Sequence, residues 1–194
     1  MKRLAAAMQD GADGRLAPGF GLSQAQVTFI AHGGWTLPDA RAAWSRIVQS
    51  RPDFLILHIG SNDLGSVRFV DSIKIANDLL ELAHYLCQAS GAHGAIICHL
   101  TQRGLSHRLP SRSHVDHYND KILMANRFIQ EVIGAGLGPQ LISWPHKGMI
   151  QSTAHLLGTD GTHVNTHGQF LLYKSLRGAV ICAAKAAGAC PPAQ

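Results

Sequence analysis

Short runs that are apolar at nearly every position alternate along this chain with longer runs that are apolar every third or fourth position. Four of the short runs, Gln26–Ala31, Phe54–Ile59, Ala95–Cys98 and Leu141–Trp144, are four to six residues long and rich in Val, Ile, Leu and Phe. Runs of that length and composition read as strands, and unbroken apolarity reads as a strand covered on both faces. Between the first two, Thr36 stands as an N-cap, with Pro38 in the first turn and Asp39 at the capping-box position. The helix it opens places Ala40, Ala43, Trp44, Ile47 and Val48 on one face. Ile73, Ala76, Leu80, Ala83 and Cys87 stripe a second helix over 67–88, and two more are predicted over 114–133 and 166–187. This rhythm predicts a three-layer α/β/α sandwich with a mostly parallel sheet. A chain of 194 residues fits one domain, 1–187, followed by a tail over 188–194.

Right-handed crossovers bring the C-terminal end of every strand to one edge, where open α/β sheets hold their ligands. Three loops belong there: Gly33-Gly34, Gly60-Ser61-Asn62-Asp63, and Asp160-Gly161-Thr162-His163. A carboxylate three residues before an imidazole can accept from Nδ1 and leave Nε2 facing a cleft, as a general base requires. Asp160 capping a turn beside a surface histidine is the plainer alternative. The Asn62 amide, just past a buried strand, can donate to a developing oxyanion. The alternative there is a strand-to-loop turn built from turn-forming residues. Gly34 can offer an unobstructed backbone N–H, or can serve only as a turn glycine with positive φ.

Taken together these residues resemble the SGNH hydrolases, the GDSL-like esterase and lipase superfamily. Gly34 matches the second sequence block, Gly60-x-Asn62-Asp63 the third, and Asp160-x-x-His163 the fifth. The stretch from Asp160 to Ala179 is similar to animal SGNH-like proteins that include retroelement-associated domains. The resemblance implies a flavodoxin-like fold and ester hydrolysis without metal or cofactor. It also implies His163 as the base, Asp160 as its orienting partner, and Gly34 with Asn62 as the oxyanion hole.

The first block, a strand ending in the nucleophilic serine, has no counterpart. Ser23 lies in a glycine-rich loop with no strand leading into it, Ser61 falls inside the third block and Ser143 inside a strand. The family's sheet order 2-1-3-4-5 makes the absent strand the central one. The expectation is therefore a shortened, inactive form of a longer protein. It either pairs Val27–Ala31 wrongly with Phe54–Ile59 or folds poorly, since each unpaired buried backbone group costs roughly 1–3 kcal/mol.

Composition alters this picture little. A formal net charge of +5 comes from dispersed Lys and Arg. The densest basic stretch, the loop carrying Arg103, His107, Arg108 and Arg112, motivates a different class of reading: a non-catalytic, retroelement-derived binding domain associated with nucleic acid. Cys87, Cys98, Cys182 and Cys190 show no paired spacing, so zinc-ribbon and disulfide frameworks are not predicted, and the first three sit in apolar runs. His114-x-x-His117 and His163-x-x-x-His167 have metal-site spacings but no accompanying carboxylate or cysteine cluster. His58 reads as a hydrogen-bonded core residue, and His99 reaches toward the site edge. No run approaches 18 apolar residues, so no membrane span is predicted. Met1–Met8 is basic then apolar and closes at Gln9-Asp10, too short for a signal peptide and closer to an amphipathic helix. Compartment stays open, with cytoplasm as the default.

Overall fold

The computed structural model describes residues 17–23, 25–65, 71–136, 140–149 and 153–188. The readings of an N-terminal helix, of a helix start at Val67, of Cys190 and of the tail beyond Gly188 lie outside those residues. Three parallel strands form the sheet in the order β1 (Phe54–Leu57), β2 (Gly94–Cys98), β3 (Gln140–Trp144). Leu55 pairs with Ala95, and Ile96 with Ile142. Every residue of β2 is buried, as an apolar run between two strands and two helical layers must be.

Alternation along β2 divides the core. Ala95 and Ile97 join a cluster with Leu79, Leu86, Ile122 and Ile129, whereas Ile96 and Cys98 join one with Leu172, Leu176 and Val180. The first cluster is built from α1 (Leu37–Ala42), α2 (Trp44–Gln49), α4 (Ser72–Ser90) and α5 (Arg112–Gly134); the one-turn α3 spans Ser61–Leu64. The second is built from α6 (Thr166–Ala186). The three-layer parallel architecture read from the sequence is therefore the one observed. Local caps start the long helices: Asp71 accepts from Ile73 N at 2.8 Å, Ser111 from His114 N at 3.4 Å, and Asn165 from Gly168 N at 3.0 Å.

Two sequence readings need correction. The helix after Thr36 is broken at Ala43 (φ −86°, ψ 10°), so its predicted stripe is split. Ala40 and Ile47 are buried, while Trp44 is 42% exposed and meets Tyr85 edge-on. Of the four predicted strands, Gln26–Ala31 is not one. Its side chains alternate as in a strand: Val27 and Phe29 pack toward α6, and Ile30 toward the opposite layer. Yet none of these residues joins the sheet, and they do not pair with β1 either. Phe29 is held instead by Phe20, whose ring meets that of Tyr173 of α6 at a tilt and whose carbonyl accepts from Arg177. These anchors keep the segment away from β1, and the exposure of Gln26 and Thr28 leaves part of its backbone to water.

Candidate active site

The Asp160–His163 loop is fixed from both ends. Leu157 and Val164 form an antiparallel bridge, Gly158 N donates to His163 O at 2.7 Å, and Asn165 N donates to Leu156 O at 2.8 Å. Gly161 has φ +62°, and a β-carbon there would overlap the Leu105 carbonyl. Only glycine lets this loop press against the loop after β2, where Gly104 N donates to Gly161 O at 2.7 Å.

Within that frame Asp160 Oδ2 lies 2.7 Å from His163 Nδ1, while Oδ1 accepts from the backbone N–H of His163 at 2.9 Å and of Thr162 at 3.0 Å. Those bonds, the one from His163 N foremost, hold the Asp160 carboxyl far below the usual carboxylate range. A permanent carboxylate on Nδ1 fixes that nitrogen as the donor, so that in the neutral ring Nε2 is the acceptor. Among the described residues no side chain hydrogen-bonds to Nε2, and the imidazole is about half exposed.

Asn62 sits in α3, just past the left-handed Gly60 (φ 112°) that turns the chain off β1. Its Nδ2 donates to Trp35 O at 2.9 Å, and its Oδ1 accepts from Arg103 Nη2 at 3.0 Å. A guanidinium only donates and a carbonyl only accepts, so both neighbours impose the same orientation on the amide. One N–H of Nδ2 is left for another acceptor. Asp63 accepts from Leu37 N at 3.0 and 3.2 Å, which ties α3 to the start of α1. Burial raises its carboxyl above the ordinary value. Gly34 has φ +82° and nothing within 4 Å of where a β-carbon would stand. Gly34, Asn62 and His163 line one cavity of about 720 Å³.

Arg103, expected within an exposed basic loop, is instead 8% exposed. Its backbone is bracketed by Asn119, and its guanidinium lies 4.9 Å from the centre of the Tyr118 ring. It positions Asn62, which leaves the loop's outward charge to His107, Arg108 and Arg112. Its signal was position rather than type, since it lies five residues past the C-terminal end of a buried strand. Arg103→Met keeps the volume and removes both polar contacts. It is expected to lower stability by about 1–3 kcal/mol. A urea titration checks this, together with a shift of the Asn62 side-chain amide resonances.

Among the described residues no serine hydrogen-bonds to His163. Ser23 is exposed in a turn, and Ser143 Oγ bonds His99 Nε2 at 2.8 Å. Ser61 lines the cavity, but no hydrogen bond joins it to His163. His58, expected to be a hydrogen-bonded core residue, has its Nε2 shut from solvent without a partner, and its ring meets that of His146 edge-on at 5.0 Å. His99 is turned to Ser143 rather than into the large cavity. Cys87 and Cys98 are buried free thiols, the latter pushed up to about 12 by burial, whereas Cys182 is partly exposed. Among the described residues no group of three or more His, Cys, Asp or Glu is placed to hold a metal ion, and no helix is long and apolar enough to cross a membrane.

No protein-family model and no curated protein matches the chain. Solved structures do. A protein described as an acylhydrolase from Bacteroides fragilis superposes with a TM-score of 0.62 at 13% identity, covering 77% of this chain and 72% of that one. The fold is that of the SGNH, GDSL-like acylhydrolases. A protein described as a GDSL-like lipase from Parabacteroides merdae gives a TM-score of 0.61 at 17% identity over 96% of this chain and 80% of its own. The lipase/acylhydrolase of Enterococcus faecalis gives 0.55 at 18% identity over 83% and 75%. At these identities what is shared with the SGNH hydrolases is the fold.

Proposed function

We propose that this chain carries the base and the oxyanion-binding half of an SGNH-type acyl-ester hydrolase site and lacks the attacking hydroxyl. One observation carries the reading: the Asp160-held imidazole of His163 faces the same cavity as Gly34 and Asn62, with no hydroxyl of the described residues on its Nε2. In such a site Nε2 takes the proton of an attacking hydroxyl as that oxygen bonds to the ester carbonyl carbon. The carbonyl oxygen becomes an oxyanion, which the Gly34 N–H and the free N–H of Asn62 would receive. The proton then returns from Nε2 to the departing alkoxide. Without a hydroxyl the acyl-enzyme cannot form. The chain is inactive by itself, and small acyl esters are the substrate class its groups are suited to.

The test is p-nitrophenyl acetate hydrolysis by the chain and by His163→Ala. The expected result is the same slow, unsaturable release from both. Saturable turnover that His163→Ala abolishes would show that a hydroxyl is in place after all. The nucleic-acid reading keeps the exposed His107, Arg108 and Arg112 of its basic loop, while Arg103 is buried.

A further inference from the structure

Arg103 brings a charge into the site that the described residues do not neutralise. Its side chain is buried, and none of the ion pairs formed among the described residues includes it. The guanidinium gives one N–H to Asn62 Oδ1 at 3.0 Å and rests on the Tyr118 ring, with no hydrogen bond to any other described residue. Tyr118 is itself tied by its hydroxyl to Ser61 O at 3.0 Å, and the Asn119 amide holds both the N–H and the C=O of Arg103. The cation is therefore fixed in place. A guanidinium has five N–H groups to satisfy, and the face of a ring offsets its charge only in part.

Arg103 lines the same cavity as Gly34, Asn62 and His163, together with Thr101 and Thr162. The groups beside it are donors: the free N–H of Asn62 Nδ2, the Gly34 N–H and two threonine hydroxyls. Asp53 also belongs to the lining, but it lies ahead of β1 and Asn62 beyond the strand's far end, so the length of β1 separates them. Asp160 keeps its charge on the other side of the imidazole, bonded to Nδ1. One unpaired positive charge accompanied by N–H and O–H donors is the means by which proteins recognise a singly charged anion.

We propose that Arg103 makes this site a receptor for a short carboxylate, with Arg103 as its counter-charge and Asn62 and Gly34 as its N–H donors. A carboxylate suits the site better than a phosphate. Its single charge equals the one left over on Arg103, whereas a dianion would bring a second negative charge toward Asp160. Its two coplanar oxygens also match the fork of a guanidinium. Such an anion is the acid half of a small ester, so the inference deepens the hydrolase reading and rests on it for the placement of His163 beside the anion. It does not require turnover.

Binding is followed by NMR of the isotope-labelled full chain of 194 residues at neutral pH and constant ionic strength, with sodium acetate, acetamide and inorganic phosphate as probes. Acetate is expected to bind with a Kd of about 1–10 mM, and about tenfold or more tighter than acetamide, which has the same shape and no charge. It should shift the Arg103 Nε, Asn62 side-chain and Gly34 amide resonances. Arg103→Gln keeps a donor for Asn62 without the charge, and is expected to weaken acetate by about tenfold or more. Arg103→Lys keeps the charge and should weaken it less. The comparison of acetate with acetamide uses the parent chain and stands even where a variant fails to fold.

No shift at about 100 mM acetate, or equal affinities for acetate and acetamide, overturns the proposal. Phosphate binding as tightly as acetate overturns it too, as do shifts confined to His107, Arg108 and Arg112, which would mark the exposed basic loop instead. Undiminished acetate affinity in a folded Arg103→Gln would leave Arg103 as a positioning residue for Asn62 and likewise overturn it. In each of these cases the hydrolase reading is still decided by the p-nitrophenyl acetate test. Acetate that shifts Arg103, Asn62 and Gly34 but leaves the His163 ring unmoved supports the anion site and counts against the hydrolase reading alone.

Discussion

Lowering the pH from 7 to about 4.5 is expected to destabilise the fold by on the order of 2–3 kcal/mol through His146 alone. This residue is 2% exposed, with Nδ1 2.9 Å from Ser175 Oγ and Nε2 unpartnered, and burial lowers it to about 4, assisted by the nearby His99. In the unfolded chain the same imidazole titrates near 6.5. Between those values the unfolded state binds the proton and the folded state does not. Stability is therefore full above about 6.5 and falls as the pH drops toward 4. His58 acts in the same direction, held neutral by burial and by its contact with His146, and His99 is lowered by burial as well. Against a typical net stability of about 5–15 kcal/mol this loss is large. Urea midpoints measured across that range check it. A midpoint that does not move would contradict the burial of the pair, and His146→Phe should flatten the slope even though it forfeits the bond to Ser175.

Gly161→Ala is expected to cost about 2–4 kcal/mol and to free the His163 loop. The left-handed backbone of residue 161 accounts for roughly 1 kcal/mol of that in any L-residue. The remainder comes from the overlap of the new methyl with the Leu105 carbonyl, a backbone atom that cannot swing aside. Gly33→Ala is the control, since nothing lies within 4 Å of its would-be β-carbon and its φ is not positive. It should stay within about 0.5 kcal/mol of the parent. If the two variants melted alike in urea, the contact between the two loops would not be as described.

What the sequence discloses follows from which forces are local. The all-apolar run at Ala95–Cys98 can only be a strand buried on both faces, and the capped, striped segments around Leu79 and Ile122 can only be helices against it. The Asp160–His163 pairing is suggested by its three-residue spacing, but the loop that makes it is held by the bridge of Leu157 with Val164 and by the contact of Gly161 with Gly104. Gln26–Ala31 has the composition of a strand, but a strand is completed by its neighbour, and pairing is a property of two segments. The break at Ala43 is hidden for a related reason: its neighbours have ordinary helix propensity, and tertiary contacts of Leu37 with Asp63 set the start of α1. The burial of Arg103 and His146 is not legible in sequence, because for a polar residue it is decided by remote partners such as Asn62, Tyr118 and Ser175.

The most direct test treats the chain with an alkyl fluorophosphonate, which bonds covalently to a serine oxygen activated by an adjacent imidazole, and then weighs the intact protein. A base and an anion cradle standing ready without a hydroxyl predict an unchanged mass after prolonged exposure. A single adduct that maps to Ser61 or any other serine, and that disappears in His163→Ala, would contradict that account.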